Sequence, residues 1–478
     1  MTKHSLNLTL VALSIASVSL LSGCTMGPDY EKADIALPDQ WLSPIAQRNE
    51  QQTDWQKWWQ QYDDPALNAL VERALQDNLN LRLQLSRIEQ ARAELGFERA
   101  NRWPTLSAQA AVSREQQPAA AMVASPGGNS VNNQYSVTGM LSYEIDLWGR
   151  LSRQREAAAA LLEQSILAAD AVRLALAADV ISYYFSVQAI HQQLMILEAN
   201  IDSLNQTLAI EQRRYELGAT DPLTLQRSKA ALAGATAMLP DLQETLQLSQ
   251  SALAILVGYS PQELLSKVSF GQRSMADLSI PDKLPAHTPS ELLLNRPDVR
   301  AAEANLKAAN ARIGIAQAAR FPSFNLNAVG GSSALNSSYL FSSGAEHWSV
   351  AGNLAAPLFD FGRLARQVES AEAQREQANV AYQQTVLAAV GDAQDAISLL
   401  HISATRAQAY TEQHQALAES HRLAQLQYKA GAISSFELLA NQRELLNTEI
   451  AVTDAKRQHL LAYTTLFKAF GGSWQTDN

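Results

Sequence analysis

The chain is poor in what most functional classes need. Its 478 residues include one cysteine, eight histidines and 7% aromatic residues, and acids outnumber bases to give a formal charge of −10. A single cysteine excludes an intramolecular disulfide and any zinc site built on cysteine pairs. The histidines (His4, His191, His287, His347, His401, His414, His421 and His459) are scattered and form no His-Glu-x-x-His helix. His414 and His421 lie seven apart on one helix face, but no third ligand accompanies them. There is no Gly-x-Ser-x-Gly elbow and no Walker-type loop. The chain is therefore read as a non-enzyme, with no cofactor or metal expected. An acidic surplus argues against a nucleic-acid partner. After the first segment, no stretch approaches the ~18 apolar residues of a spanning helix. If this chain crosses a membrane, it does so with strands.

The start of the chain indicates a compartment. Lys3 precedes an apolar run from Leu6 to Leu21, which ends in Leu21-Ser22-Gly23-Cys24. Residues 1–23 read as a secretory signal peptide, too short to span. The small residues before Cys24 resemble a bacterial lipobox, which makes Cys24 the expected lipidation site and the mature N-terminus. The bland alternative is a signal peptide with an incidental cysteine. Thr25 rather than Asp follows, which favours outer-membrane lipid over inner-membrane retention.

What the chain does have is one long passage written twice. Arg102-Trp103-Pro104 returns as Arg320-Phe321-Pro322, Leu147-Trp148-Gly149-Arg150 as Asp360-Phe361-Gly362-Arg363, and Tyr215-Glu216-Leu217-Gly218 as Tyr428-Lys429-Ala430-Gly431. The last two pairs share one offset, 213 residues (431 − 218), and Gly258 and Gly471 fit it too. A duplication this long is one architectural unit used twice, not a short solenoid repeat.

One copy can be read in order. Residues 79–101 form a helix that Trp103-Pro104 stops. A short alternating segment, Thr105 to Arg114, leads into a loop at 118–133 that is rich in Gly, Ser, Asn and Pro. Then Tyr135, Val137, Gly139, Leu141, Tyr143 and Ile145 alternate with Gln134, Ser136, Thr138, Ser142 and Glu144, the mark of a half-buried strand. Residues 150–216 contain no Pro and no Gly and predict one helix, roughly 100 Å long at ~1.5 Å per residue. That length suits a coiled-coil tube. Asp221 and Pro222 predict an N-cap and first helical residue, and the return helix to about Leu256 is expected to be interrupted, with a kink, at Pro240. The second copy opens its first helix at Leu293–Asp298 and has strands at Ser323–Gly330 and His347–Leu354. Its long helix is Arg363 to Ala430, and its return helix ends near Phe470.

Four strands cannot close a barrel, and open edges in lipid cost several kcal/mol per unpaired group. Two chains would give eight strands with a filled interior, and three would give twelve, wide enough for a lumen. Strand-end aromatics (Trp103, Tyr135, Tyr143, Trp148, Phe321, Phe324, Trp348, Phe359, Phe361) sit where a membrane belt would lie.

Taken together, these residues resemble the outer membrane factor family of TolC-like channels, in particular the lipoprotein branch serving resistance-nodulation-division efflux pumps. The resemblance rests on Leu21–Cys24 with Pro28-Asp29-Tyr30, Trp58-Trp59, Asp64-Pro65, the two Arg-aromatic-Pro strand starts, Asp146–Arg150, Leu293–Asp298, Pro357–Arg363 and the two Tyr-x-x-Gly turns. It implies a mainly α protein with a small β part. Long antiparallel helices would form a trimeric α-barrel, joined to a twelve-stranded membrane β-barrel with four strands per chain. The implied partners are a homotrimer, a periplasmic adaptor, an inner-membrane transporter and outer-membrane lipid. The implied role is the passive, gated outer-membrane exit duct of a tripartite efflux pump for drugs or other small toxic solutes. The alternatives are the exit duct of a type I peptide or protein secretion system and a non-channel trimeric periplasmic lipoprotein.

Residue by residue, the resemblance places adaptor-contacting tips at Tyr215, Gly218, Asp221, Leu223, Tyr428, Gly431 and Ser434. Many relatives line the closed entrance with an Asp in a Leu-Leu-Asp-Ala run. Here the run is Leu438-Leu439-Ala440-Asn441, so Phe436 and Glu437 become the expected constriction. The expected organisation is a signal peptide at 1–23, a lipidated N-terminus and equatorial segment at 24–75, and a first repeat at 76–258 with its hairpin at about 103–146. An equatorial linker at 259–290 follows, then a second repeat at 291–471 with its hairpin at about 321–358, and a tail at 472–478.

Overall fold

The computed structural model describes residues 25–32, 35, 38, 41, 55–117, 130–271, 273–278, 280–281 and 296–471. Cys24, the expected lipidation site, lies outside them. Twelve principal elements follow in order: α1 (Pro65–Asp77), α2 (Leu79–Ala100), β1 (Thr105–Gln117), β2 (Ser130–Ile145), α3 (Arg150–Glu216), α4 (Pro222–Val257), α5 (Pro261–Lys267), α6 (Pro297–Ala318), β3 (Ser323–Ala334), β4 (Glu346–Ala355), α7 (Arg363–Lys429) and α8 (Ser435–Ala469). The chain divides into a sheet-bearing unit and a helical unit.

The sheet-bearing unit comprises residues 1–34, 87–165 and 301–383. Its four strands form one antiparallel sheet in the order β1-β2-β3-β4. Opposed residues in an antiparallel pair share a face, so the register decides what each face carries. Leu106, Ala110 and Val112 of β1 oppose Leu141, Val137 and Tyr135 of β2. Across the next ladder Leu141, Tyr143 and Ile145 meet Ala328, Leu326 and Phe324, and these continue to Val350, Gly352 and Leu354 of β4. Over this stretch one face is thus apolar from edge to edge, while toward the strand ends at Gln117 and Ser130 the same face carries Arg114, Asn133, Ser332 and Glu346. The other carries Ser107, Gln109 and Ser113, Gln134, Ser136 and Thr138, Asn325 and Asn327, and Ser349 and Asn353. Beneath the sheet, Trp148 stacks on Phe321 at 4.7 Å and donates Nε1 to the Pro322 carbonyl at 2.7 Å.

In the same unit, residues 25–30 are held by the starts of α3 and by α6. The Arg153 guanidinium, only 5% exposed, donates to the carbonyls of Met26 and Gly27 and to Asp29 at 3.0, 3.2 and 2.8 Å. Asn310 Nδ2 donates to the Pro28 carbonyl at 2.8 Å. Tyr30 donates its hydroxyl to Glu303 at 3.2 Å, and burial with the Glu303 charge pushes its phenol up from the ordinary value.

The helical unit comprises residues 35–86, 166–300 and 384–478. Its core gathers Trp58, Trp59, Tyr62, Leu67, Tyr184, Phe185, Leu253 and Phe467, with Trp58 stacked on Phe467 at 4.9 Å. Tyr62, fully buried, donates to the Leu460 carbonyl at 3.1 Å and bonds Thr464 Oγ1 at 2.8 Å. Asp64 caps α1 by accepting from the amides of Ala66 and Leu67 and takes a bond from Tyr184 Oη at 2.7 Å. The Trp-Trp and Asp-Pro pairs of the sequence are therefore core and cap. Asn78 accepts from the amides of Asn80 and Leu81 at the head of α2, while its Nδ2 donates to the Leu256 carbonyl of α4 at 2.9 Å.

Four expectations need correction. The α4 helix runs unbroken through Pro240 rather than being interrupted there. The position is exposed in the protomer, so the carbonyl that the missing N–H leaves free does not have to be buried unpaired. The first helix of the second copy starts at Pro297, after a non-helical Arg296 and with proline at the first helical position, while Leu293–Asn295 of the expected opening lie outside the described residues. Strand β1 extends past Arg114 to Gln117 and β2 begins at Ser130, inside the stretch read as loop. Strand β3 continues past Gly330 to Ala334.

Candidate functional site

The two Tyr-x-x-Gly turns are built alike, bond for bond. Gly218 donates its amide to the Tyr215 carbonyl at 2.9 Å and Ala219 to Arg214 at 2.7 Å. Gly431 does the same to Tyr428 at 3.0 Å and Ala432 to Gln427 at 2.9 Å. These are helix C-caps that need a left-handed residue, supplied by Gly218 at φ +69° and Gly431 at φ +73°. Each turn then starts a helix with a side-chain cap. Asp221 accepts from the Thr224 amide at 3.0 Å, and Ser434 Oγ from the Glu437 amide at 3.3 Å. The hydrogen bonds from Thr224 hold the Asp221 carboxyl below the usual range.

The turns differ in what they touch. Tyr215 and Leu223 are exposed on the first. On the second, Tyr428 donates its hydroxyl to Glu211 Oε1 of α3, and Arg214 donates to both the Tyr428 hydroxyl at 3.3 Å and Glu211 at 3.1 Å. Burial and the Glu211 carboxylate push the Tyr428 phenol up from its ordinary value. The Glu211 side chain is fully buried, and its second oxygen has no partner within the protomer. A buried carboxylate held by one tyrosine and one arginine is costly if either leaves, so this trio ties the ends of α3 and α7 together.

Phe436 and Glu437 occupy the first turn of α8. The Phe436 ring is 57% exposed, with the Arg227 guanidinium of α4 over it at 4.9 Å. Asn441, the last residue of the Leu438–Asn441 run, accepts from Ser420 Oγ at 2.8 Å and donates to the Glu437 carbonyl at 3.0 Å. His414 faces Glu449 at 3.8 Å and His421 bonds Gln425 at 2.9 Å, so the two histidines face different partners. Among the described residues no three His, Cys, Asp or Glu side chains converge as a metal site.

Sequence reasoning singled out Tyr428 and Phe436 but missed Glu211, Arg214 and Arg227. A signal for Glu211 existed. Leu197, Leu204 and Thr207 form the buried stripe of α3, and Glu211 continues it at helical spacing. A carboxylate on a buried stripe asks for a partner.

A sheet with one apolar and one polar face, joined to long paired helices with capped turns, defines the class of outer-membrane conduits. Comparison with known proteins narrows this. The family model for outer membrane efflux proteins matches residues 70–259 and 288–472. The chain is 33% identical over 455 residues to the outer membrane protein OprJ of Pseudomonas aeruginosa, covering 95% of this chain and 94% of that one. It is 30% identical over 480 residues to the probable efflux pump outer membrane protein TtgC of Pseudomonas putida, with 99% and 96% covered. Among solved structures, the open-state Neisseria gonorrhoeae MtrE outer membrane channel superposes with a TM-score of 0.83 at 28% identity, covering 94% of this chain and 98% of that one. The chain belongs to the outer membrane efflux protein family. It is an outer-membrane transport protein, and the channel fold expected from the sequence, mainly helical with a small β part, is the fold observed.

Proposed function

We propose that this chain is the passive exit duct of a tripartite efflux pump, closed as a homotrimer whose three sheets form one twelve-stranded barrel. The observation that carries the proposal is the strand register. An apolar face spans all four strands, while β1 and β4 are left with unpaired edges. Lipid tolerates neither an open edge nor a polar face, so the edges pair with neighbouring copies and the polar face lines the bore. The chain itself supplies no energy source. An inner-membrane transporter drives flux through a periplasmic adaptor, and the cargo is a drug or other small toxic solute. OprJ and TtgC, an efflux component by name, favour this reading over a secretion duct.

In this proposal Cys24 carries the lipid that fixes the N-terminus in the outer membrane. The adaptor meets the turns at Tyr215, Gly218, Asp221 and Leu223 and at Tyr428, Gly431 and Ser434. The closed state is held by the Glu211–Arg214–Tyr428 trio and narrowed by Phe436 and Glu437. No cofactor takes part beyond the lipid. The deciding measurement is the detergent-corrected mass of the extracted protein together with planar-bilayer conductance. Three chains and single-channel steps support the proposal. A folded single chain without steps overturns it in favour of an anchored periplasmic helical protein.

A further inference from the structure

Near the turns, α3, α4 and α8 line a half-open cavity of about 490 Å³. Its walls are apolar, with Leu204, Met238, Leu439 and Leu446 among them, and it also carries two guanidinium groups, Arg227 and Arg443. No carboxylate lines it, and among the described residues no carboxylate pairs with either arginine. The Arg227 guanidinium carbon lies over the Phe436 ring, 4.9 Å from its centroid. A guanidinium without a carboxylate partner has N–H donors to offer a bidentate oxyanion. Gln442, 4% exposed, also lines the cavity, and its Nε2 has no hydrogen-bond partner. A buried amide donor without an acceptor is costly, which makes an acceptor at that place welcome. The volume lies within the usual range for small-molecule sites, where apolar walls hold a ligand and a few polar groups orient it.

We infer that this cavity is a binding site for an amphiphilic organic anion, with an apolar ring system or chain against Met238, Leu204 and Leu446 and a carboxylate, sulfonate or phosphate at the arginines. The charge balance selects the anion. Two cations and an amide donor with no acid attract a negative head group and repel a cationic amphiphile of the same shape. The inference stands on the cavity alone and not on the channel reading, and the test below reads binding rather than flux.

Full-length protein in phosphatidylcholine nanodiscs is titrated with dansylglycine and, separately, with dansylcadaverine. The two share an apolar body and differ in charge. Empty nanodiscs correct for partition into lipid. Saturable binding of dansylglycine at one site per chain is expected, with dansylcadaverine at least tenfold weaker. Arg227→Gln combined with Arg443→Gln is expected to weaken dansylglycine at least tenfold. Gly234→Leu guards against a variant that fails to fold. Gly234 lines the cavity, and a Cβ built there meets nothing within 4 Å. The larger side chain therefore branches from an unobstructed Cβ at the cavity wall, occupies cavity space and improves helix propensity. It is expected to abolish saturable binding while the helical circular dichroism is kept. Equal binding of the two probes, or undiminished dansylglycine binding in either variant, overturns the assignment.

Discussion

At the scale of single residues, the most consequential group is the Tyr428 hydroxyl. It holds a fully buried carboxylate and receives a bond from the arginine that also pairs with that carboxylate. Tyr428→Phe removes one of the two partners of Glu211 Oε1 and leaves the ring in place. Leaving a buried charged acceptor short of a donor costs about 1–3 kcal/mol. If that energy holds the closed arrangement, open probability rises roughly 5–150-fold, which single-channel recording of the variant measures. An unchanged closed-state leak would remove the trio from gating and leave it a structural tie. Tyr428 was legible in the sequence because the repeat displays its turn twice. Glu211 was missed although it continues the apolar stripe of Leu197 and Leu204, because an acid at one stripe position reads as a surface acid unless the stripe is followed to it.

A second residue-scale prediction concerns pH. His459 is buried, with Nδ1 bonded to Ser403 Oγ at 3.0 Å, and burial together with Lys456 pushes its imidazole below the ordinary value. Burial also lowers His191 and His421. The unfolded chain takes up protons near pH 6.5 while the folded chain does not. Between the folded and unfolded values the unfolded state thus binds more protons, so stability rises with pH across that window and is lost as pH falls below about 6.5. The melting temperature of the helical unit is expected to drop between pH 7.5 and 5.5. The drop should be shallower in His459→Gln, which keeps a hydrogen-bonding group beside Ser403 without a titrating ring.

At the scale of elements, the sequence was most informative where caps and breakers act locally. The bounds of α3 are those that the absence of Pro and Gly between 150 and 216 implies, and Asp221 caps α4 as its place before a proline suggests. It was least informative where pairing across the sheet overrides local pattern. Arg114–Gln117 and Ser130–Asn133 show no alternation, yet they pair as strands because their backbones continue a ladder set by Leu106–Leu141 and Val112–Tyr135. The packing role of Asn78 was likewise invisible, since its partner Leu256 is 178 residues away. Asn78→Ala removes the cap of α2 and orphans a carbonyl of α4. The sum is a loss of about 2–3 kcal/mol, expected as a lower urea midpoint for helical ellipticity with an unchanged slope. A midpoint equal to that of the wild type would mean that water replaces the amide.

At the scale of the whole molecule, the question is which face of the sheet meets lipid. The register answers it in a form that two adjacent substitutions can test. Val137 lies opposite Ala110 and Ser332 on the apolar face, while Ser136 lies opposite Ala111 and Ser333 on the polar one. A lysine at the bilayer midplane costs about 2–4 kcal/mol on the lipid side of a barrel and far less in the lumen. Each copy in a trimer carries the change, so Val137→Lys is felt three times in one barrel. It is expected to lower the yield of heat-resistant trimer in the outer membrane. Ser136→Lys is expected to assemble normally and to shift the reversal potential toward anions, because three added cations then face the bore. The pair separates the channel from its strongest rival. A soluble sheet would tolerate both lysines or fail with both, and neither would move a reversal potential. Failure of Ser136→Lys with success of Val137→Lys would reverse the faces and overturn the barrel proposed here.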